Sequence, residues 1–247
     1  MKKSLALLSV ACLSLALSAC GGKDEATTDV PKVAAGEDVP APAGKNWADM
    51  VVATEKGGYL MGNPDATIKV TEFGSYTCPH CADFTEKSAD DVQKMVNSGK
   101  MSFEFRPFVR DAVDMTMTLI AGCNGPETYF PFSHQLFGNQ AAVFEKLQGA
   151  GDAAYTQAMS QPPQDRFIAL AQLTGLIDFA KQRGLAEDKA KQCLADGKQA
   201  ETIAAHVQDA TTSYNISGTP TLLINDKVVE NAASWDVLKE KLTEAGL

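Results

Sequence analysis

The sequence has few basic residues, and this shortage restricts what the protein can bind. Its 247 residues include 22 Lys and Arg against 31 Asp and Glu, for a formal net charge of -9. This balance argues against binding to nucleic-acid phosphates, which requires a positive surface. Aromatic residues make up 7% of the chain, whereas 45% of its residues are hydrophobic. A chain of this length and composition can bury a sizeable core, as one large domain or as a domain with an insertion.

The apolar run at the N-terminus is too short to span a bilayer. It extends from Leu5 to Ala16 after the basic start Met1-Lys2-Lys3, a pattern typical of a secretory signal. Leu17-Ser18-Ala19-Cys20 then resembles the bacterial lipobox, in which the cysteine is lipidated and becomes the first residue. We therefore expect residues 1–19 to be removed as a signal peptide. The alternative is ordinary signal cleavage beside a chance cysteine.

A lipidated Cys20 would anchor the protein to a membrane, facing the periplasm. Gly21 follows this cysteine and favours sorting to the outer membrane. Residues 20–46 contain several Pro, Gly, Ala and acidic residues and no aromatic residue. Because such a segment cannot form a core, we expect it to be a lipidated, disordered tether.

One short motif, Cys78-Pro79-His80-Cys81, carries the clearest chemical signal in the chain. It follows a predicted strand and opens a predicted helix, so the first sulfur faces the unpaired N–H groups at the helix N-terminus. These groups and the imidazole of His80 would stabilise a thiolate on Cys78, making a disulfide that is easily reduced. The alternative for His80 is a helix-start residue with no electrostatic role.

Glu72 lies six residues before Cys78, at the end of the predicted strand. Alternation along the strand places its side chain on the same face as Ile68 and Val70. If that face is buried, the pKa of the carboxyl rises, and Glu72 becomes a candidate proton carrier for the cysteines. The alternative is a glutamate exposed to solvent at a strand end.

Hydrophobic periodicity divides the remainder of the chain into three parts. Residues 47–110 predict an opening strand or hairpin followed by a β-α-β unit with parallel strands. Residues 111–206 have a helical period almost throughout, which predicts a helical insertion. Residues 207–247 predict a hairpin that turns at Asn225-Asp226 and a final helix that begins at Ser234.

This order of elements, with Cys78-Pro79-His80-Cys81 after a strand and Gly218-Thr219-Pro220 before a later one, resembles the DsbA family of thiol:disulfide oxidoreductases. The resemblance covers about residues 47–247. It implies an α/β fold of the thioredoxin type with an inserted α-helical subdomain. It also implies that Cys78 is the exposed nucleophile, with Pro79 and His80 beside it, and that Cys81 is its buried partner.

The resemblance further implies that Pro220 is the family's cis-proline, which presents the backbone of Thr219 to an extended substrate. An ordinary trans proline at a strand start is the alternative. Threonine at position 219 is more typical of the isomerase relatives, so both oxidase and isomerase or reductase activity remain open.

By the same resemblance, we expect a monomeric oxidase that needs no cofactor. It would introduce disulfides into unfolded or reduced exported proteins through a mixed disulfide on Cys78. A quinone-linked membrane oxidase of the DsbB type would recycle it.

Two further cysteines, Cys123 and Cys193, lie in the predicted helical insertion. In an oxidising compartment they would pair as a structural disulfide, and some DsbA relatives have a similar second pair. Two separate buried thiols are the alternative.

Two functions of another class compete with the redox interpretation. One is a metal-binding lipoprotein that uses Cys78, His80 and Cys81, but the sequence has no second Cys-x-x-Cys or His-x-x-His to complete a closed zinc site. The other is a peptide-binding module that does not need the thiols. We expect no metal site, and we expect His134 and His206 to be structural or surface residues.

Overall fold

The computed structural model describes residues 38–247, which contain a six-stranded mixed sheet flanked by helices. The strands are β1 (Val51–Ala53), β2 (Tyr59–Gly62), β3 (Ile68–Gly74), β4 (Met101–Pro107), β5 (Thr221–Ile224) and β6 (Lys227–Val228). They lie in the order β1-β2-β4-β3-β5-β6. Strands β3 and β4 are parallel, and the other neighbouring pairs are antiparallel.

The helices of the described residues fall into one long helix after β3, a group between β4 and β5, and one at the C-terminus. They are α1 (Pro79–Asn97), α2 (Ala112–Ala121), α3 (Tyr129–Gly138), α4 (Gln140–Met159), α5 (Pro163–Leu173), α6 (Leu176–Lys181), α7 (Glu187–Leu194), α8 (Gly197–Tyr214) and α9 (Trp235–Glu244). Gly151 interrupts α4 with a positive φ of 78°. Single 3₁₀ turns occur at Trp47–Asp49 and Pro126–Thr128.

The predicted β-α-β unit is present as β3, α1 and β4, with the two strands parallel. Helix α1 buries the predicted stripe against the sheet: Phe84, Ser88, Val92 and Val96. Its first residue is Pro79, whose fixed φ suits the first helical position, and Cys78 is the N-cap. This junction therefore places both cysteines where the sequence predicted them.

Strand β3 lies at the centre of the sheet and is buried on both faces, apart from the exposed Lys69. Ile68 and Val70 belong to the main hydrophobic core. On the opposite face, Phe73 packs in a smaller cluster with Ala210 of α8 and Leu223 of β5. Because helices cover both faces, the polar side chains of β3, including Glu72, are buried as well.

The predicted end of the helical insertion at residue 206 is wrong. Residues 197–214 form the single continuous helix α8, so a boundary at 206 would cut through it. A helical period cannot mark such a boundary, because the same stripe continues on both sides of it. The insertion between the two halves of the sheet comprises α2 to α7 and ends before Asp196, the N-cap of α8.

The predicted tether also extends too far toward the C-terminus. Backbone N–H of Val39 donates to Ser98 O at 2.8 Å, and the indole N–H of Trp47 donates to Val39 O at 2.7 Å. Asp38 forms an ion pair with Lys100 at 3.1 Å. Residues 38 and 39 of the predicted tether therefore contact the folded body. The predicted signal peptide, Cys20 and the rest of the tether lie outside the described residues.

The predicted hairpins are present at both ends of the sheet. Strands β1 and β2 form the first, and β5 and β6 form the second. Asn225 and Asp226 both have positive φ, as a two-residue hairpin turn requires. Helix α9 then buries Trp235, Leu238 and Leu242.

Candidate active site

The two cysteines at the start of α1 are both reduced and both buried. Cys78 is 2% exposed and Cys81 is inaccessible to solvent. The prediction of an exposed Cys78 is therefore wrong for this structure. The reason is the loop before β5, which lies over the sulfur: Sγ of Cys78 is 3.1 Å from the backbone oxygen of Thr219.

The environment separates the two sulfurs chemically. The thiol of Cys81 hydrogen-bonds to the sulfur of Cys78, and Thr219 and the backbone N–H groups of His80 and Cys81 add to this stabilisation. Together they outweigh the effect of burial and lower the pKa of Cys78 to about 4. Burial raises the pKa of Cys81 well above that of an ordinary thiol. Cys78 is thus suited to be nucleophile and leaving group, and Cys81 to remain protonated.

Both exposed residues of the motif, Pro79 and His80, lie in the first turn of α1. The backbone N–H of His80 is among the groups that lower the pKa of Cys78. The contribution of His80 described by the structure is therefore its backbone, whereas the sequence predicted a role for its imidazole.

Glu72 is buried on the same side of the sheet as the cysteines, with 1% of its surface exposed. Its neighbours in the sheet are Phe105 on β4 and Leu222 on β5, and its Oε1 atom has no hydrogen-bond partner. Burial, with a smaller effect of the charge on Cys78, raises the pKa of Glu72 to about 8. The charge of Glu72 in turn contributes to the raised pKa of Cys81. The ionisation of Glu72 therefore depends on Cys78, and the ionisation of Cys81 depends on Glu72.

A cleft of about 410 Å³ reaches Glu72 from the side of the sheet that α1 and α3 cover. Residues of both helices line it, together with Phe103 and Phe105 of β4. Neither the cysteines nor the loop at residues 218–220 contributes to its lining. The carboxyl can therefore be approached by a path that does not pass the active-site sulfurs.

The peptide bond between Thr219 and Pro220 is cis. Pro220 is buried, and Thr219 is partly buried above Cys78. The hydroxyl oxygen of Thr219 is inaccessible to solvent and has no hydrogen-bond partner. The structure thus brings together Cys78 and Thr219, which are 141 positions apart in the sequence.

Sequence reasoning did not identify the groups that hold the turn before Cys78. Asp114 of α2 accepts hydrogen bonds from the hydroxyl of Ser75 at 2.5 Å and the backbone N–H of Tyr76 at 2.8 Å. Gln140, the first residue of α4, donates to the carbonyl oxygens of Tyr76 and Cys78 at 2.8 and 3.0 Å. The available signal was a carboxylate within the apolar sequence of α2, since an unpaired buried charge is costly.

Cys123 and Cys193 form the predicted disulfide, with their Cα atoms 5.8 Å apart. It joins the segment after α2 to α7 within the insertion. His134 is exposed on α3, where it belongs to the lining of the cleft that reaches Glu72, and His206 is partly buried on α8.

Two further findings concern the described part of the chain as a whole. Within residues 38–247, no three or more His, Cys, Asp and Glu side chains are grouped so that they could hold a metal ion. Across the same residues, none of the helices combines the length and the apolar character needed to cross a membrane.

Comparison with known proteins gives matches over most of the chain. Residues 54–244 match a family model described as Thioredoxin. Disulfide bond formation protein D of Bacillus subtilis is 28% identical over 195 residues, which cover 76% of each chain. A Rickettsia bellii protein named as a protein-disulfide oxidoreductase is 25% identical over 179 residues. The present chain spans 60% of its length.

A solved structure matches the fold and the sequence together. It is a protein-disulfide isomerase from Novosphingobium aromaticivorans, with a TM-score of 0.73 and 32% identity. The match covers 77% of the present chain and 98% of that protein.

Proposed function

Since the chain belongs to the thioredoxin family matched by residues 54–244, and within it to the DsbA-like thiol:disulfide oxidoreductases, we propose that it oxidises dithiols of exported proteins. The same matches confirm the expected α/β thioredoxin-like fold with a helical insertion. The redox pair is Cys78 and Cys81.

The reaction begins with the pair joined as a disulfide. A substrate thiolate attacks Sγ of Cys78, the bond to Cys81 breaks, and its electron pair passes to the Cys81 sulfur. Because the pKa of Cys81 is raised, this sulfur takes up a proton as it leaves. Glu72, whose pKa is raised to about 8, holds a proton at neutral pH and supplies it.

A second substrate thiolate then attacks the substrate sulfur of the mixed disulfide, and Cys78 leaves as a thiolate. The substrate loses two electrons and gains a disulfide, and the enzyme pair is reduced. Glu72 regains its proton through the cleft between α1 and α3, whose lining includes neither the cysteines nor the loop at residues 218–220.

The observation that carries the oxidase assignment is the low pKa of Cys78, about 4. A stabilised thiolate stabilises the reduced form relative to the disulfide, and this makes the disulfide oxidising. A thiol with an ordinary pKa would provide no such preference.

The test is the redox potential of the pair in glutathione buffers, measured together with thiolate absorbance at 240 nm. We expect a potential close to that of a strong dithiol oxidase, about −120 mV. A potential close to the thioredoxin value of about −270 mV, with an ordinary pKa for Cys78, would assign the protein to reductive work instead.

Disulfide isomerase activity is the second candidate. Two observations favour it: Thr219 before the cis-proline, and the 32% identical protein-disulfide isomerase from Novosphingobium aromaticivorans. Refolding of ribonuclease separates the two activities. An oxidase accelerates recovery from the reduced substrate, whereas an isomerase, supplied reduced, accelerates recovery from the scrambled substrate.

We place this activity in the periplasm, on the basis of the signal-like N-terminus and the lipobox ending at Cys20. Lipid on Cys20 would tether the protein to the membrane, with the outer membrane favoured, and a DsbB-type quinone-linked oxidase would recycle it. Labelling of cells with a palmitate analogue tests the anchor: the label should appear on the wild-type protein and be absent from Cys20→Ser.

A further inference from the structure

The turn that leads into the redox pair is held by the helical insertion. Residues 75–77 connect β3 to Cys78, and each of them hydrogen-bonds to α2 or to the residues just before it. Thr77 donates to Asp111, the N-cap of α2, at 2.9 Å. Arg110 donates to the hydroxyls of Ser75 and Thr77 at 3.0 and 3.1 Å.

Asp114 is the centre of this cluster and is completely buried. One of its carboxylate oxygens accepts from the N–H of Tyr76, and the other accepts from the hydroxyl of Ser75 and, at 3.0 Å, from the N–H of Arg110. Three donors thus converge on one carboxylate. Two of these donors belong to the turn, and the third, Arg110, precedes α2. The carboxylate therefore joins the turn to the insertion and does not only cap its own helix.

The turn is bonded directly to the backbone of the first reacting cysteine. The carbonyl oxygen of Ser75 accepts from the backbone N–H of Cys78 at 3.1 Å. The backbone of Ser75 also acts on Cys81, because it partly offsets the rise in the pKa of that thiol. A shift of Ser75 would therefore change the surroundings of both cysteines, although Asp114 itself touches neither sulfur.

We propose that Asp114 is a positioning residue for the redox pair, and that the insertion acts through it to set the balance between dithiol and disulfide. This inference rests on the redox activity proposed above. The described hydrogen bonds are those of the dithiol form, since both cysteines are free. We expect loss of the carboxylate to destabilise that form more than the disulfide form, because a disulfide would hold Cys78 to Cys81 without help from the turn.

Asp114→Asn tests the proposal, because asparagine has nearly the same shape but presents one acceptor oxygen to the three donors. Ser75→Ala is the second variant, since it removes one donor and leaves the carboxylate intact. The matched control is Asp178→Asn, an exposed residue on α6 of the same insertion.

Two quantities are measured for each variant: the equilibrium constant with glutathione, and the free energy of unfolding of the dithiol and disulfide forms prepared chemically. We expect Asp114→Asn to shift the equilibrium toward the disulfide by about threefold or more, with a greater loss of stability in the dithiol form. Ser75→Ala shifts it in the same direction by less, and the control does not change it.

Equal destabilisation of both forms, with an unchanged equilibrium, would mean that Asp114 is only structural and would overturn the proposal. A shift toward the dithiol would overturn it too. If the wild-type protein does not exchange with glutathione, the proposed oxidase function fails, but the two unfolding measurements still decide the role of Asp114. Should Asp114→Asn not fold, Ser75→Ala gives the same comparison.

Discussion

The sulfur of Cys78 lies 3.1 Å from the backbone oxygen of Thr219. A thiol can donate a hydrogen bond to this oxygen, but a thiolate has no proton to donate. With a pKa of about 4, Cys78 loses that proton well below neutral pH. The thiolate then depends on other donors, and the backbone oxygen of Thr219 becomes available to an N–H group of a bound substrate.

The buried hydroxyl of Thr219 has no hydrogen-bond partner in the structure, so it is free to donate to the thiolate, and it is among the groups that lower the pKa of Cys78. Thr219→Val removes it with little change in shape. We expect the pKa of Cys78 to rise by about one unit, the effect of one hydrogen bond to a charged group. Absorbance at 240 nm as a function of pH measures this value. Thr243→Val, an exposed position on α9, is the control, and equal curves for wild type and Thr219→Val would contradict this role for the hydroxyl.

Single cysteine variants distinguish the roles of the two sulfurs. Cys78→Ser is expected to abolish thiol–disulfide exchange, because the sulfur left in the redox pair is that of Cys81, which is inaccessible to solvent and has a raised pKa. Cys81→Ser keeps the nucleophile and should accumulate a mixed disulfide with substrate. Non-reducing gels and mass spectrometry of the trapped species provide the measurement. A mixed disulfide on Cys78→Ser instead would reverse the assignment of the two cysteines.

Glu72 should make the stability of the oxidised protein depend on pH. Its folded pKa is raised from 4.5 to about 8 in the dithiol form, first by burial and then by the charge on Cys78; in the disulfide form that charge is absent, and burial alone raises the pKa. The stability of the wild type relative to Glu72→Gln is therefore greatest below pH 4.5 and is lost as the pH rises through the raised folded pKa. Urea unfolding of both disulfide-form proteins over this pH range measures the difference.

The exposed Glu240→Gln serves as the control for this pH series, since its difference from wild type should remain nearly constant. A flat difference for Glu72→Gln as well would show that the carboxyl is not buried in solution. It would also remove Glu72 as the proton carrier.

The second disulfide is expected to stabilise the fold without taking part in exchange. It closes a loop of 70 residues, and the loss of loop-closure entropy in the unfolded chain amounts to about 4 kcal/mol. Replacing both Cys123 and Cys193 by Ala should lower the free energy of unfolding by roughly that amount and leave the glutathione equilibrium of Cys78 and Cys81 unchanged. A changed equilibrium would indicate that this disulfide influences the redox pair.

Local patterns were sufficient to predict most of the elements and the chemical motif. The parallel strands around α1, the hairpin at Asn225 and Asp226, and the cysteines at a helix N-terminus each depend on residues close together in the chain. Such features follow from backbone geometry and side-chain periodicity, which a sequence records directly.

The tertiary structure decided the remaining properties of the site. Thr219 shields the sulfur of Cys78 from solvent. Asp114, 39 residues beyond Ser75, accepts the hydrogen bond that holds the turn before Cys78. Periodicity placed Glu72 on a core-facing side, but only packing leaves its carboxyl oxygen without a partner. These properties depend on which distant segments meet across the sheet. The sequence by itself therefore determined the reacting atoms, whereas the assembled fold determined their burial, their proton affinities and their supports.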